Sequence, residues 1–122
     1  MKFGATPSLE WQRFGDFTAA RLYEVLHLRQ SVFVVEQASP YPDLDGEDAA
    51  AWHLLLRFAG GLAGYLRLVP RDAAGRVTLG RVAVAPAQRR RGLARLMLGE
   101  ALAFCASRYP AVSYTHLRAH ET

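Results

Sequence analysis

The sequence predicts a single α/β domain, and three observations carry that prediction. Apolar residues recur at helical spacing in two separate segments, from Leu22 to Phe33 and from Leu93 to Cys105. Between them, two apolar runs flank Gly60-Gly61 and a third ends at Pro86, the pattern of strands joined by tight turns. Neither an internal repeat nor a low-complexity linker divides the 122 residues into smaller units.

Taken in order, Leu9 to Phe14 alternates and reads as a short first strand. Thr18 can cap a helix from Ala19 to about Val34, because Leu22, Val25, Leu26, Val32 and Phe33 fall on one face. Glu36 to Asp48, "EQASPYPDLDGED", is dense in Pro, Asp and Gly and reads as a loop. Trp52 to Phe58 and Leu62 to Val69 form an antiparallel pair across Gly60-Gly61. After a turn at Arg71 to Gly75, Val77 to Ala85 forms a third strand, which Pro86 ends. A helix from about Gly92 to Ser107 follows, with Leu93, Leu96, Met97, Ala101, Phe104 and Cys105 at helical period. Tyr109-Pro110 closes it, and Ala111 begins a further strand.

Composition narrows the class. Hydrophobic residues make up 51% of the chain, enough for a core, and the net charge is +4. Lys2 is the single lysine among fifteen cationic residues, so the positive charge is almost wholly arginine. That balance permits a phosphate-bearing partner without demanding nucleic acid. The first residues, MKFGATPSLEW, lack the apolar run of a signal peptide, and no stretch approaches the ~18 apolar residues of a membrane span. The expectation is a cytoplasmic protein with no membrane partner. The lone Cys105 forms no internal disulfide and reads as a small buried apolar residue; no metal site is expected.

The chemistry concentrates in "APAQRRRGLARLML", Ala85 to Leu98. Three adjacent arginines repel one another, and Gly92 in a first helical turn costs roughly 1 kcal/mol against alanine. A strand end, a short loop and a helix start would place free backbone N–H groups where the helix dipole is positive, which makes a phosphate cradle. Gly92 would let a phosphate oxygen approach the backbone, and Ala94 keeps the next turn small. The competing reading is a solvated turn or an RNA-facing patch. No Gly-Lys-Ser/Thr follows, so this is not a nucleotide P-loop, nor is it a dinucleotide Gly-x-Gly-x-x-Gly.

"VAVAPAQRRRGLARLML" resembles the coenzyme A motif of the GNAT superfamily of acetyltransferases, Arg/Gln-x-x-Gly-x-Gly/Ala, met by Arg89, Gly92 and Ala94. "LRQSVFVVEQASPYPDLDGED", followed by "WHLLL", resembles the ElaA-like branch of that superfamily. The resemblance implies a GNAT-like acyl-CoA N-acyltransferase fold: a mixed sheet, antiparallel at its start, with helices on both faces and acetyl-CoA lodged where two strands splay apart. It implies transfer of an acetyl group to a primary amine by direct attack, where orientation can supply about 7 to 11 kcal/mol of the barrier. By the family's spacing, the Val82 N–H donates to the thioester carbonyl, and Val84, next to Ala83, pairs with the pantetheine arm. The amides of Arg90, Arg91, Gly92, Leu93, Ala94 and Arg95 would hold the pyrophosphate, and any of the arginine side chains, Arg89 included, could meet the 3′-phosphate. The valine side chains read equally as ordinary core.

Acid and base roles are less defined. Where some relatives carry a glutamate, this chain has Thr78. Glu36 and His53 are the candidates to take the amine proton; the alternatives are a solvated helix-end carboxylate and a hydrogen-bonded histidine at a sheet edge. Arg81 could hold a substrate carboxylate or pair with the Asp43 to Asp48 loop, which lacks the spacing of a calcium loop. In the family a helix and hairpin follow the last strand, and that helix often bears a tyrosine acting as acid. Here "SYTHLRAHET" follows instead, resembling translated adapter sequence, so the domain is expected to span 1–112 with a non-native tail at 113–122, and Tyr114 is not assigned the acid role. Expected partners are a small-molecule or protein amine, with a homodimer left open. The alternative function is a non-catalytic remnant binding coenzyme A or RNA, although no aromatics interleave the arginines to favour RNA.

Overall fold

The computed structural model describes residues 6–73 and 75–109. Strand β1 (Ser8–Arg13) leads through a 3-10 turn into α1 (Ala19–Arg29), which Thr18 caps by accepting a hydrogen bond from the Arg21 N–H at 3.0 Å. β2 (Trp52–Phe58), β3 (Gly61–Pro70) and β4 (Val77–Val84) follow, and α2 (Leu93–Arg108) comes last. The sheet order is β1-β2-β3-β4, antiparallel throughout. The strand expected from Ala111, which would make the sheet mixed, the domain limit at Val112 and the tail at 113–122 lie outside the described residues.

The two helices cover opposite faces because the inner strands are apolar on both sides. Leu54 and Leu56 of β2 and Leu66 and Leu68 of β3 pack with Met97, Ala101 and Cys105 of α2. Leu55, Tyr65 and Ala83 pack on the other face with Val25, Leu28 and Val32. Strands buried on both faces read as continuous apolar runs, as "LLL" does in β2. Cys105 is fully buried, and burial pushes its thiol pKa up.

The first helix differs from expectation past Arg29. The predicted α-helix to Val34 becomes a π-helical segment, Gln30–Glu36. The wider turn absorbs an extra residue, so the adjacent Val32 and Phe33 both pack against the α1-side cluster. A second irregularity lies in β4. Arg67 pairs with Gly80 and Tyr65 with Ala83, so Arg81 and Val82 together oppose Leu66, a β-bulge in which Arg81 takes a left-handed φ of 53°. The sequence carries a trace of it. Buried apolar residues at Val77 and Leu79 resume at Val82 and Val84, one residue out of phase.

Candidate active site

The edge of β4 is the first component. The Ala85 N–H donates to the Ala63 carbonyl at 2.8 Å, which makes Ala83 and Tyr65 the next hydrogen-bonded pair. By alternation, the main-chain groups of Val82 and Val84 point away from β3. That side of β4 has no neighbouring strand among the described residues. The Val82 and Val84 side chains are buried in the α2-side core. The core reading of these side chains is the one the structure contains, and it leaves their main-chain groups at the strand edge.

The second component is the loop that leaves this edge. Pro86–Gln88 forms a 3-10 turn in which the Arg89 N–H donates to the Pro86 carbonyl at 3.4 Å. The first helical hydrogen bond of α2 runs from the Leu96 N–H to the Gly92 carbonyl at 3.0 Å. Among the described residues no hydrogen bond is made by the six main-chain N–H groups from Arg90 to Arg95. Arg90 (φ 67°) and Gly92 (φ 75°) are both left-handed, and left-handed residues in a turn bring successive N–H groups into a concavity. Leu93 and Ala94 bury their side chains beneath it, while Arg90, Arg91 and Arg95 are exposed. The Arg91 guanidinium lies 5.8 Å from the Phe58 ring centroid. A diphosphate fits such a donor set: the helix dipole and unpaired N–H groups favour anionic oxygens, and no side chain at Gly92 obstructs approach.

The third component is a cleft of about 200 Å³ beside the bulge, lined by Phe33, Val34, Gln37, Tyr41, Pro42 and Arg81, with Ser39 and Asp43 completing it. Arg81 is tied down from behind. Its Nε donates to Asp43 Oδ1 at 2.7 Å, and one Nη donates to the Asp43 carbonyl at 3.0 Å and to Asp45 Oδ2 at 3.2 Å. Of the two expectations for Arg81, the ion pair with the acidic loop is the one the structure contains.

His53 departs from its candidate role. It is 1% exposed, with both ring nitrogens engaged. The Asp48 carbonyl, 2.9 Å from Nε2, can only accept, so Nε2 carries the proton and Nδ1 accepts from the Tyr65 hydroxyl at 2.6 Å. Burial lowers its pKa and raises that of Tyr65. A ring sealed between these partners is not placed to receive a proton from a bound amine. Glu36 is half-exposed, but both of its carboxylate oxygens accept from Arg89, at 2.6 and 2.8 Å. Thr78 accepts from Arg71 Nε at 2.9 Å on the surface.

Two arginines that belong to no sequence motif, Arg29 and Arg67, complete the surroundings. Arg29, 1% exposed, donates from Nε to Asp43 Oδ2 at 2.8 Å and from Nη1 to Asp48 Oδ1 at 2.7 Å. Arg67 donates to Asp45 at 2.9 and 2.7 Å and to Asp48 at 3.1 Å. Arg29 of α1, Arg67 of β3 and Arg81 of β4 thus bind three aspartates of the "DLDGED" segment, of which Asp43 lines the cleft beside Arg81. The hydrogen bonds from Arg67 keep the Asp45 carboxyl well below the usual carboxylate range. Burial pushes Asp48 up, but Arg29 and Arg67 outweigh it and lower its pKa.

The fold is shared with solved acyl-CoA N-acyltransferases. The chain superposes on the crystal structure of an acyl-CoA N-acyltransferase from Pseudomonas aeruginosa with a TM-score of 0.76 and 36% identity, over 84% of this chain and 72% of that one. Escherichia coli ElaA superposes with a TM-score of 0.77 and 33% identity, over 86% of this chain and 76% of that one. The chain belongs to the acetyltransferase (GNAT) family, whose sequence profile matches residues 19–121. A UPF0039 protein of Schizosaccharomyces pombe is 40% identical over 93 residues, which is 75% of this chain and 61% of that protein. The chain therefore spans less than two thirds of that relative's length. Among the described residues no helix is long and apolar enough to cross a membrane, and no group of three metal-ligating side chains assembles.

Proposed function

We propose that the chain carries the coenzyme-binding half of an acetyl-CoA-dependent N-acetyltransferase in which a primary amine attacks the thioester directly. The observation that carries this reading is the run of six unpartnered N–H groups, Arg90 to Arg95, at the end of the open β4 edge. These groups hold the pyrophosphate, and the exposed Arg90, Arg91 and Arg95 side chains reach the 3′-phosphate. The main chain of Val84 pairs with the pantetheine arm, and the Val82 N–H donates to the carbonyl oxygen as charge develops on it. The acceptor occupies the cleft beside Arg81. Its nitrogen bonds to the carbonyl carbon, the carbon–sulfur bond breaks, and sulfur leaves with the electron pair. The amine proton passes to water in the open cleft.

Calorimetric titration of acetyl-CoA tests the reading, with Gly92→Val as the diagnostic variant. A Cβ at Gly92 meets no protein atom within 4 Å, so the added side chain occupies the space assigned to the diphosphate. The left-handed φ adds a folding cost of roughly 1–2 kcal/mol. Saturable one-to-one binding that weakens at least about tenfold in the variant is expected. Absence of saturable binding, or equal affinity in both proteins, overturns it. Steeply salt-dependent binding of single-stranded RNA without coenzyme affinity would instead favour the RNA-binding remnant.

A further inference from the structure

Glu36 and Arg89 are 53 positions apart in the chain. Glu36 ends the π-helical segment that walls the acceptor side, and Arg89 sits between β4 and α2. The Arg89 Nη1 and Nη2 groups donate to Glu36 Oε2 and Oε1 at 2.6 and 2.8 Å, a two-pronged pair. Nε donates to the Val84 carbonyl at 3.0 Å. One guanidinium, its side chain only 13% exposed, therefore joins three pieces of backbone.

The direction of the Val84 carbonyl gives this contact its consequence. The Ala85 N–H points at Ala63 on β3, and across a planar trans peptide the carbonyl of Val84 points the opposite way, to the open edge. A carbonyl oxygen has two lone pairs, so this one can accept from Arg89 and from one ligand amide together. A donor carrying positive charge fixes its orientation more firmly than water does.

We infer that Arg89, held by Glu36, is a positioning residue that aims the Val84 carbonyl at the amide-bearing arm of the coenzyme, and is not a ligand of its phosphates. The inference rests on the proposed coenzyme site and assigns different work to both residues: the carboxylate serves as the counter-ion of the brace, and the arginine serves the strand edge. The geometry also links the acceptor wall to the coenzyme edge through one ion pair.

The test separates the two ends of the coenzyme. Acetyl-CoA carries both the arm and the phosphates, whereas adenosine 3′,5′-bisphosphate carries phosphates without the arm. Both are titrated calorimetrically against wild type, Glu36→Gln, Arg89→Gln and the double variant. The brace predicts that each single variant lowers acetyl-CoA affinity about tenfold, that the double variant loses little more than the worse single, and that bisphosphate affinity stays within about twofold. Arg89→Lys, which keeps the charge but not the fork, is expected to recover only part of the affinity. A parallel loss of bisphosphate affinity in Arg89→Gln, or an unchanged acetyl-CoA affinity in Glu36→Gln, overturns the inference. Failure of the wild type to bind either compound overturns the coenzyme site itself, a separate result.

Discussion

His53 is gripped by one donor and one acceptor, so deleting its ring strands the Tyr65 hydroxyl and the Asp48 carbonyl. A buried polar group left without a partner costs about 1–3 kcal/mol. His53→Ala should lose roughly 3 kcal/mol in urea unfolding near neutral pH, while His53→Gln, which retains a donor and an acceptor, should lose less than half of that. An alanine variant within about 1 kcal/mol of wild type would show that the ring does not hold these groups. The sequence placed His53 on its strand correctly but could not supply its partner. The structure turns at Ala59-Gly60, with Phe58 opposite Gly61, and register counted outward from that pair would set Tyr65 across from Leu54, on the opposite face from His53. The irregularity between Leu56 and Arg57 moves the register by one residue, so Leu55 faces Tyr65 and the two polar side chains share a face. By contrast, the place of Gly92 at the start of α2 was legible, because a glycine between a strand end and an apolar helix marks a turn that takes a left-handed residue.

At the scale of elements, the acidic loop is fastened by ion pairs of unequal worth. Arg29 is buried with two carboxylates around it, and its guanidinium also lies 5.6 Å from the Tyr65 ring centroid. Arg71 pairs with Glu47 at the surface. Breaking a buried pair leaves uncompensated charge and costs about 3–5 kcal/mol, whereas an exposed pair contributes about 0–1 kcal/mol. Arg29→Met should therefore lose about 3–5 kcal/mol or abolish the cooperative transition, and Arg71→Ala should stay within about 1 kcal/mol of wild type. Equal losses in chemical denaturation would mean that burial does not set the strength of these pairs. The signal for Arg29 was present in the sequence: it lies four residues after Val25 and three before Val32, on the apolar face of its helix. A lone arginine there requires buried carboxylates, and "DLDGED" is the acid-rich segment nearest in the chain. The strands and both helices were legible from periodicity. The π-helical segment was not, and the β4 bulge left only the phase slip between Leu79 and Val82, because each is one extra residue whose benefit appears only when the opposite sheet face is in place.

For the whole molecule, the same polar layer between the sheet and the acidic loop sets the response to acid, in two windows. His53 has a folded-state pKa below its ordinary 6.5 because burial disfavours the cation. The unfolded chain therefore binds a proton first as pH falls, so this contribution is fully present above about pH 6.5 and is lost below it, with a slope of up to ~1.4 kcal/mol per pH unit. Asp45, bonded to Arg67, and Asp48, bonded to Arg29 and Arg67, lie below their ordinary 3.8. Their contribution is present above that value and is lost as pH falls through the folded-state values. Unfolding free energy measured by urea from pH 8 to pH 3 should thus decline gently from about 6.5 and then steepen below about 4. In His53→Gln the gentle upper decline should disappear while the lower, steeper one remains. A profile flat down to pH 4 in the wild type would mean that the imidazole exchanges protons as freely folded as unfolded. The sealed ring, and with it the assignment of His53 to the fold and not to proton transfer, would then be wrong.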